Sequence, residues 1–159
     1  MKDNYEKIRR LMLASNQMDG GYYLFARKAG IRENTLALLY ALDDGHPHSQ
    51  KQVCEEWLIP KTTINSIIQE LTREGYVTLA TAEGTREKTI CLTESGQAYA
   101  SRILEGIYEA EQSALRRTLE QYSDEFISAF ECFTRYLCEG LADAETAEVK
   151  EEKQKGRTT

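Results

Sequence analysis

Large apolar side chains recur three, four and seven residues apart through most of this chain, the period of a helix with one buried stripe. From Tyr5 to about Ala29, the positions Ile8, Leu11, Met12, Tyr22, Leu24 and Phe25 predict a first helix. A kink or break is expected at Gly20-Gly21, because each glycine costs roughly 1 kcal/mol against alanine inside a helix. Leu36, Leu39 and Tyr40 predict a second helix from Glu33 to Leu42, closed by the turn Asp43-Asp44-Gly45-His46-Pro47. Ser49, with Gln52 three residues on, has the capping-box pattern in which each side chain satisfies the other's free backbone N–H. It opens a third helix that turns Val53, Cys54 and Trp57 inward.

After the link Leu58-Ile59, Pro60 stands in the first turn of a fourth helix, where its missing N–H is no loss. Ile64, Ile67, Ile68 and Leu71 form the buried stripe of that helix, and Gly75 is placed to end it in the left-handed conformation. Two β-prone runs, Tyr76 to Thr81 and Thr89 to Leu92, flank the turn-like residues 82–86 and predict a small hairpin. Thr93 then caps a long helix carrying Ile103, Leu104, Ile107, Leu115 and Leu119. Ser123, with Asp124 and Glu125 in the favourable first turn, opens another that carries Phe126, Phe130, Phe133, Leu137 and Leu141.

The fold class is therefore mainly α with a small β-hairpin wing. The last two helices hold more large apolar groups than their own chain offers to pack against, which predicts an interface with a second copy. The expected organisation is a dimerisation helix over 1–30, a winged helix-turn-helix lobe over 31–96, dimerisation helices over 97–142, and a charged tail over 143–159 that is frayed or disordered.

Composition narrows the function. No run approaches the roughly 20 apolar residues of a membrane span, and the N-terminus lacks a signal-peptide core, which places the protein in the cytoplasm and away from membranes. Cys54, Cys91, Cys132 and Cys138 form no C-x-x-C pair and read as small buried hydrophobes. Cys132 and Cys138 lie about 600° apart around a helix, which excludes a disulfide within it. His46 and His48 beside Asp43 and Asp44 contain metal-ligating groups, but without a third placed ligand they read as a solvated loop, so no metal or cofactor is assigned. Nucleophile elbow, phosphate loop and nucleotide-binding glycine patterns are absent, which argues against an enzyme.

A net charge of −6 speaks against a nucleic-acid partner until its distribution is considered. Residues 97–159 carry eight basic against thirteen acidic residues, whereas residues 49–96 carry five against seven, so most of the acidity sits away from the predicted lobe. In a capped helix, turn, second helix and hairpin, the second helix enters the major groove of double-stranded DNA. Its exposed start offers Lys61, Thr62, Thr63, Asn65, Ser66 and Gln69 as donors and acceptors for phosphates and base edges. Asn65 and Gln69 lie one turn apart, where an amide can pair with adenine. The same residues fit a merely solvated helix face equally well. Tyr22, Tyr23, Phe25 and Tyr40 are candidates to line a pocket for a small aromatic effector, with ordinary core packing as the alternative.

The segments from His48 to Leu79 and from Thr89 to Gly96 resemble the MarR (multiple-antibiotic-resistance regulator) family, through Ser49-Gln50-Lys51, Trp57, Pro60-Lys61, Thr63-Ile64-Asn65, Leu71, Gly75-Tyr76 and Leu92-Thr93-Glu94-Ser95-Gly96. The resemblance implies a homodimer on a near-palindromic operator, usually a repressor and often released by a small ligand. It adds Ser49, Gln50 and Lys51, with Arg86 and Lys88 of the wing, to the DNA-binding set. The chain departs from the family at Gly84-Thr85-Arg86, where many members have Asp-x-Arg, and at Ser66, where many have Arg. The competing function is a winged-helix dimer that binds another protein through its acidic surface.

Overall fold

The computed structural model describes the backbone of residues 2–81 and 88–155, with side chains over 4–81 and 88–144. Among the described residues, six helices and three short strands follow in the order α1 (Lys2–Ala29), α2 (Glu33–Leu42), β1 (His48–Ser49), α3 (Gln50–Glu56), α4 (Lys61–Arg73), β2 (Val77–Thr81), β3 (Lys88–Leu92), α5 (Glu94–Leu119) and α6 (Glu125–Lys155). The chain divides into two compact units, Met1–Tyr108 and Glu109–Thr159.

The first unit holds the core. Leu38 and Leu39 of α2, Val53 of α3, Ile64, Ile67 and Ile68 of α4, Ile90 of β3 and Leu104 of α5 are all buried in one cluster. Full burial of such a side chain contributes about 1.5–3 kcal/mol each, so this cluster, assembled from five elements, sets the orientation of α4. Arg32, at the start of α2, bonds Glu70 of α4 at the surface of the same junction. Asp43, just past the end of α2, accepts from the Tyr108 hydroxyl at 2.7 Å and from the Gln97 amide, which ties the end of α2 to α5.

Local chemistry ends α4 where the sequence places its stop. Gly75 has φ +79, and the two bonds of a Schellman closure form there, Tyr76 N–H to Leu71 O at 2.8 Å and Gly75 N–H to Thr72 O at 3.1 Å. The hairpin runs antiparallel from Val77 opposite Leu92 to Thr81 opposite Lys88. It is buried at Val77 in its base and at Ile90 in the middle of β3, while Thr78 to Thr81 are exposed, so β2 projects from the lobe as a wing.

Several sequence expectations need correction. Helix α1 runs uninterrupted through Gly20-Gly21, since two glycines in 28 residues are outweighed by the continuing ladder of backbone bonds. Pro60 is the N-cap of α4 and not its first helical residue; its carbonyl accepts the Ile64 N–H at 3.0 Å. Only half of the capping box forms: Ser49 Oγ accepts the Gln52 N–H at 3.1 Å, but the Gln52 amide turns to Glu56 at 2.9 Å. Next to this cap lies a strand the sequence did not signal, β1, whose Ser49 pairs with Thr89 and completes a sheet of order β1-β3-β2. Trp57 is partly exposed rather than inward, although its ring packs on Tyr40 at 5.5 Å. None of the four cysteines is buried, and Cys138 is exposed.

The second unit is built from the end of α5 and from α6. Phe126 N–H bonds Ser123 O at 3.2 Å as α6 begins, and its backbone stays helical through the charged segment to Lys155. Phe126, Ile127, Phe130, Leu137 and Leu141 all remain exposed in the single chain.

Candidate nucleic-acid interface

The polar face of α4 follows from its register. With Ile64, Ile67, Ile68 and Leu71 buried, the residues on the opposite side must face water. Lys61, Asn65 and Gln69 form one ridge at spacings of four, Thr62 and Ser66 lie beside it, and all five are exposed. Thr63 is half-buried at the edge of the stripe. The ridge starts at the N-terminus of α4, where unpaired backbone N–H groups carry about half a positive charge that favours a phosphate.

Two side chains on this face are held in place. Asn65 Oδ1 accepts a hydrogen bond from the Gln50 amide at the start of α3. A carbonyl oxygen has two lone pairs, so Asn65 keeps one acceptor site and both N–H donors for a base edge, now on an oriented amide. Ser66 Oγ donates to Thr62 O at 3.1 Å, which leaves the hydroxyl to act as an acceptor. Lys51 sits 3.7 Å from Glu55, but both are largely exposed and such a pair is worth about 0–1 kcal/mol, little enough for a phosphate to displace the carboxylate. Lys61 has no ion pair among the described residues, which leaves its ammonium available to a phosphate. Ser49 is half-buried and engaged in its cap. Lys88 stands exposed at the start of β3, and Arg86 lies outside the described residues.

Behind this surface, the first unit contains a cleft of about 430 Å³ between α1, α2, the α3–α4 turn and α5. Tyr22 and Tyr40 line it, together with Met18, Asp19, Glu33, Asn34, Leu36, Ala37, Trp57, Ile59 and Ile107. The other two aromatic candidates do not. Successive helix positions are about 100° apart, so with Tyr22 toward the cleft, Tyr23 points to solvent. Phe25 packs toward α5, within 3.5 Å of the position a Cβ would take on Gly106.

His48 Nε2 lies 2.8 Å from Asp44 Oδ1, which also accepts the His46 N–H at 2.9 Å. The bond from His48, then the one from His46, hold the Asp44 carboxyl below the usual carboxylate range. No group of three metal-ligating side chains occurs among the described residues. No helix among them is long and apolar enough to cross a membrane.

Sequence reasoning missed the Gln50–Asn65 bond, the Arg32–Glu70 pair and the acidic rim of the cleft. The first two join residues 15 and 38 positions apart, beyond any local pattern. The third had a signal: Glu33, Ala37 and Tyr40 are spaced to share one face of α2.

A helix, a turn and a second helix with its polar face outward, flanked by a projecting hairpin, define a winged helix-turn-helix. Residues 29–87 match the sequence model of the MarR family. Solved structures agree in fold. A MarR family regulator from Neisseria meningitidis is 21% identical, with 93% of this chain and 99% of that one covered and a TM-score of 0.69. The transcription regulator MarR from Oenococcus oeni is 20% identical, covers 82% and 97%, and has a TM-score of 0.64. NadR, solved in complex with 4-hydroxyphenylacetate, is 16% identical, covers 80% and 88%, and has a TM-score of 0.63. No curated protein sequence matches the chain.

Proposed function

We propose that the protein is a homodimeric, sequence-specific transcription regulator that represses by holding a pseudo-palindromic operator and is released when a small aromatic molecule enters the cleft of its first unit. The observation that carries this reading is the exposed ridge Lys61–Asn65–Gln69 on α4, backed by a fully buried stripe and oriented by Gln50. A rigid helix with an amide fixed at its surface is what base readout requires. Two such helices, one per subunit, set two half-sites about one turn of DNA apart.

Exposed apolar residues support the dimer. In the first unit, α1 leaves Tyr5, Ile8, Leu11, Leu13 and Leu24 at least 40% exposed, and in the second, α6 does so with Phe126, Ile127, Phe130 and Leu141. Apolar surface on this scale marks an interface rather than a free face. Sedimentation at micromolar concentration is expected to give twice the 18.2 kDa chain mass. A single 18.2 kDa species would contradict the dimer.

The cleft supports release. Its volume of about 430 Å³ lies in the range that takes a small organic ligand, and its walls are largely apolar and aromatic. It touches α1, α2 and the α3–α4 turn together, so a ligand there bears on the elements that orient α4.

A further inference from the structure

We propose that this cleft selects a cationic aromatic ligand, an organic amine or quaternary ammonium, over an aromatic carboxylate; the inference deepens the effector reading above and rests on it. Both acidic residues in the lining are at hand for a cation. Asp19 shares a face of α1 with Tyr22, and Glu33 shares a face of α2 with Tyr40. Neither carboxylate forms an ion pair among the described residues. No Lys, Arg or His side chain among the described residues lines the cleft, and the nearest basic neighbour in sequence of Glu33, Arg32, is held on Glu70 of α4. One feature opposes this polarity: the N-terminus of α2 adds about half a positive charge. Glu33, in the first turn of α2, more than offsets it, and Asp19 adds a second carboxylate to the lining.

The apolar part of the wall favours the same ligand. Tyr40 and Trp57 meet at 57° with ring centroids 5.5 Å apart, forming an aromatic corner, and Tyr22 also lines the space. Aromatic faces attract a cation through the ring quadrupole, most strongly at tryptophan, and several rings around one site recognise ammonium groups. An aromatic carboxylate would meet the same π-faces and two like charges with no basic partner in the wall.

Trp57 is the only tryptophan of the chain, so its fluorescence reports on the cleft directly. The full-length protein would be titrated with benzyltrimethylammonium and, separately, with 4-hydroxyphenylacetate. The expected result is saturable binding of the ammonium ion at least about tenfold tighter than the carboxylate, weakening as ionic strength rises. Exchanging both carboxylates for amides, Asp19→Asn with Glu33→Gln, is expected to weaken the cation by about tenfold while leaving the carboxylate unchanged or tighter. Both positions are exposed, so the near-isosteric change should leave the fold intact. Equal or tighter binding of 4-hydroxyphenylacetate, no saturable response to the ammonium ion, or unchanged selectivity in the double variant would overturn the proposal. Selective cation binding that leaves DNA affinity unaltered would support the site's chemistry and overturn the effector reading alone.

Discussion

Gly96→Ala is expected to destabilise the winged lobe by roughly 4 kcal/mol or more, at the extreme of what single substitutions do. A Cβ on Gly96 would lie 1.8 Å from Tyr76 O and 2.8 Å from its carbonyl carbon. The obstacle is backbone, so no rotamer change relieves it. That carbonyl is also committed, because it accepts the Thr93 N–H at 3.0 Å. Around it, Thr93 Oγ1 donates to Gly75 O at 2.6 Å and accepts the Gly96 N–H at 3.0 Å, while Ser95 Oγ donates to Gly75 O at 3.0 Å. The stacked rings of Tyr76 and Tyr99, 4.3 Å apart, close the same junction, and burial beside Glu74 pushes the Tyr99 phenol up. Pushing α5 away would disturb the C-terminus of α4, the root of the wing and the cap of α5 together. Thermal unfolding should show a fall in Tm of about 10 °C or more, given about 2–4 °C per kcal/mol at this chain length. Gly140→Ala on α6, where a Cβ meets nothing within 4 Å, is the control and should leave Tm unchanged or raise it. Equal, small effects at the two glycines would mean that the close approach at Gly96 is not structural.

The second large effect is expected at the DNA surface, where two substitutions should fail in different ways. Asn65→Ala removes an oriented amide from the exposed ridge and should cost roughly 1–3 kcal/mol on the cognate site, about 5- to 150-fold in affinity, with base preference relaxed at one position per half-site. Lys61→Ala removes an exposed charge that the proposed function gives to a phosphate, so it should weaken cognate and scrambled duplexes alike and flatten the salt dependence by about one phosphate per subunit. Fluorescence anisotropy on both duplexes across a salt series separates the two patterns. An equal loss on cognate and scrambled DNA for Asn65→Ala would remove its base-reading role and leave it a solvated residue anchoring Gln50.

The parts of this molecule that could be read in its sequence are those governed by local rules. Helix α2 lies where Leu36, Leu39 and Tyr40 place it, and α4 ends at Gly75 because a left-handed residue was required there. The hairpin appears with nearly the expected strands, since alternation and turn residues are near neighbours in sequence. What could not be read depends on pairing over distance. Strand β1 is two residues long and exists only because β3 lies beside it. The cleft was half legible: the aromatic spacing pointed to Tyr22 and Tyr40, but choosing Tyr22 over Tyr23 requires the rotation of α1, which packing against α2 decides. In the run Leu92-Thr93-Glu94-Ser95-Gly96 the sequence marked Thr93 as a cap and the rest only as a resemblance, and the structure supplies the physical cause in the bonds that Thr93 and Ser95 make to Gly75 and in the bare Cα of Gly96.

The central claim is that two copies of α4 read a specific DNA sequence, and it is tested most directly by selecting enriched sites from a pool of random duplex DNA with the purified full-length protein, followed by a salt titration on the winner. The account predicts an enriched near-palindrome with half-sites about ten base pairs apart and an affinity that falls steeply with salt as counterions are released. Folded, dimeric protein that enriches no sequence, and binds duplex DNA weakly at every salt concentration, would contradict it and point to a partner protein on the acidic surface instead.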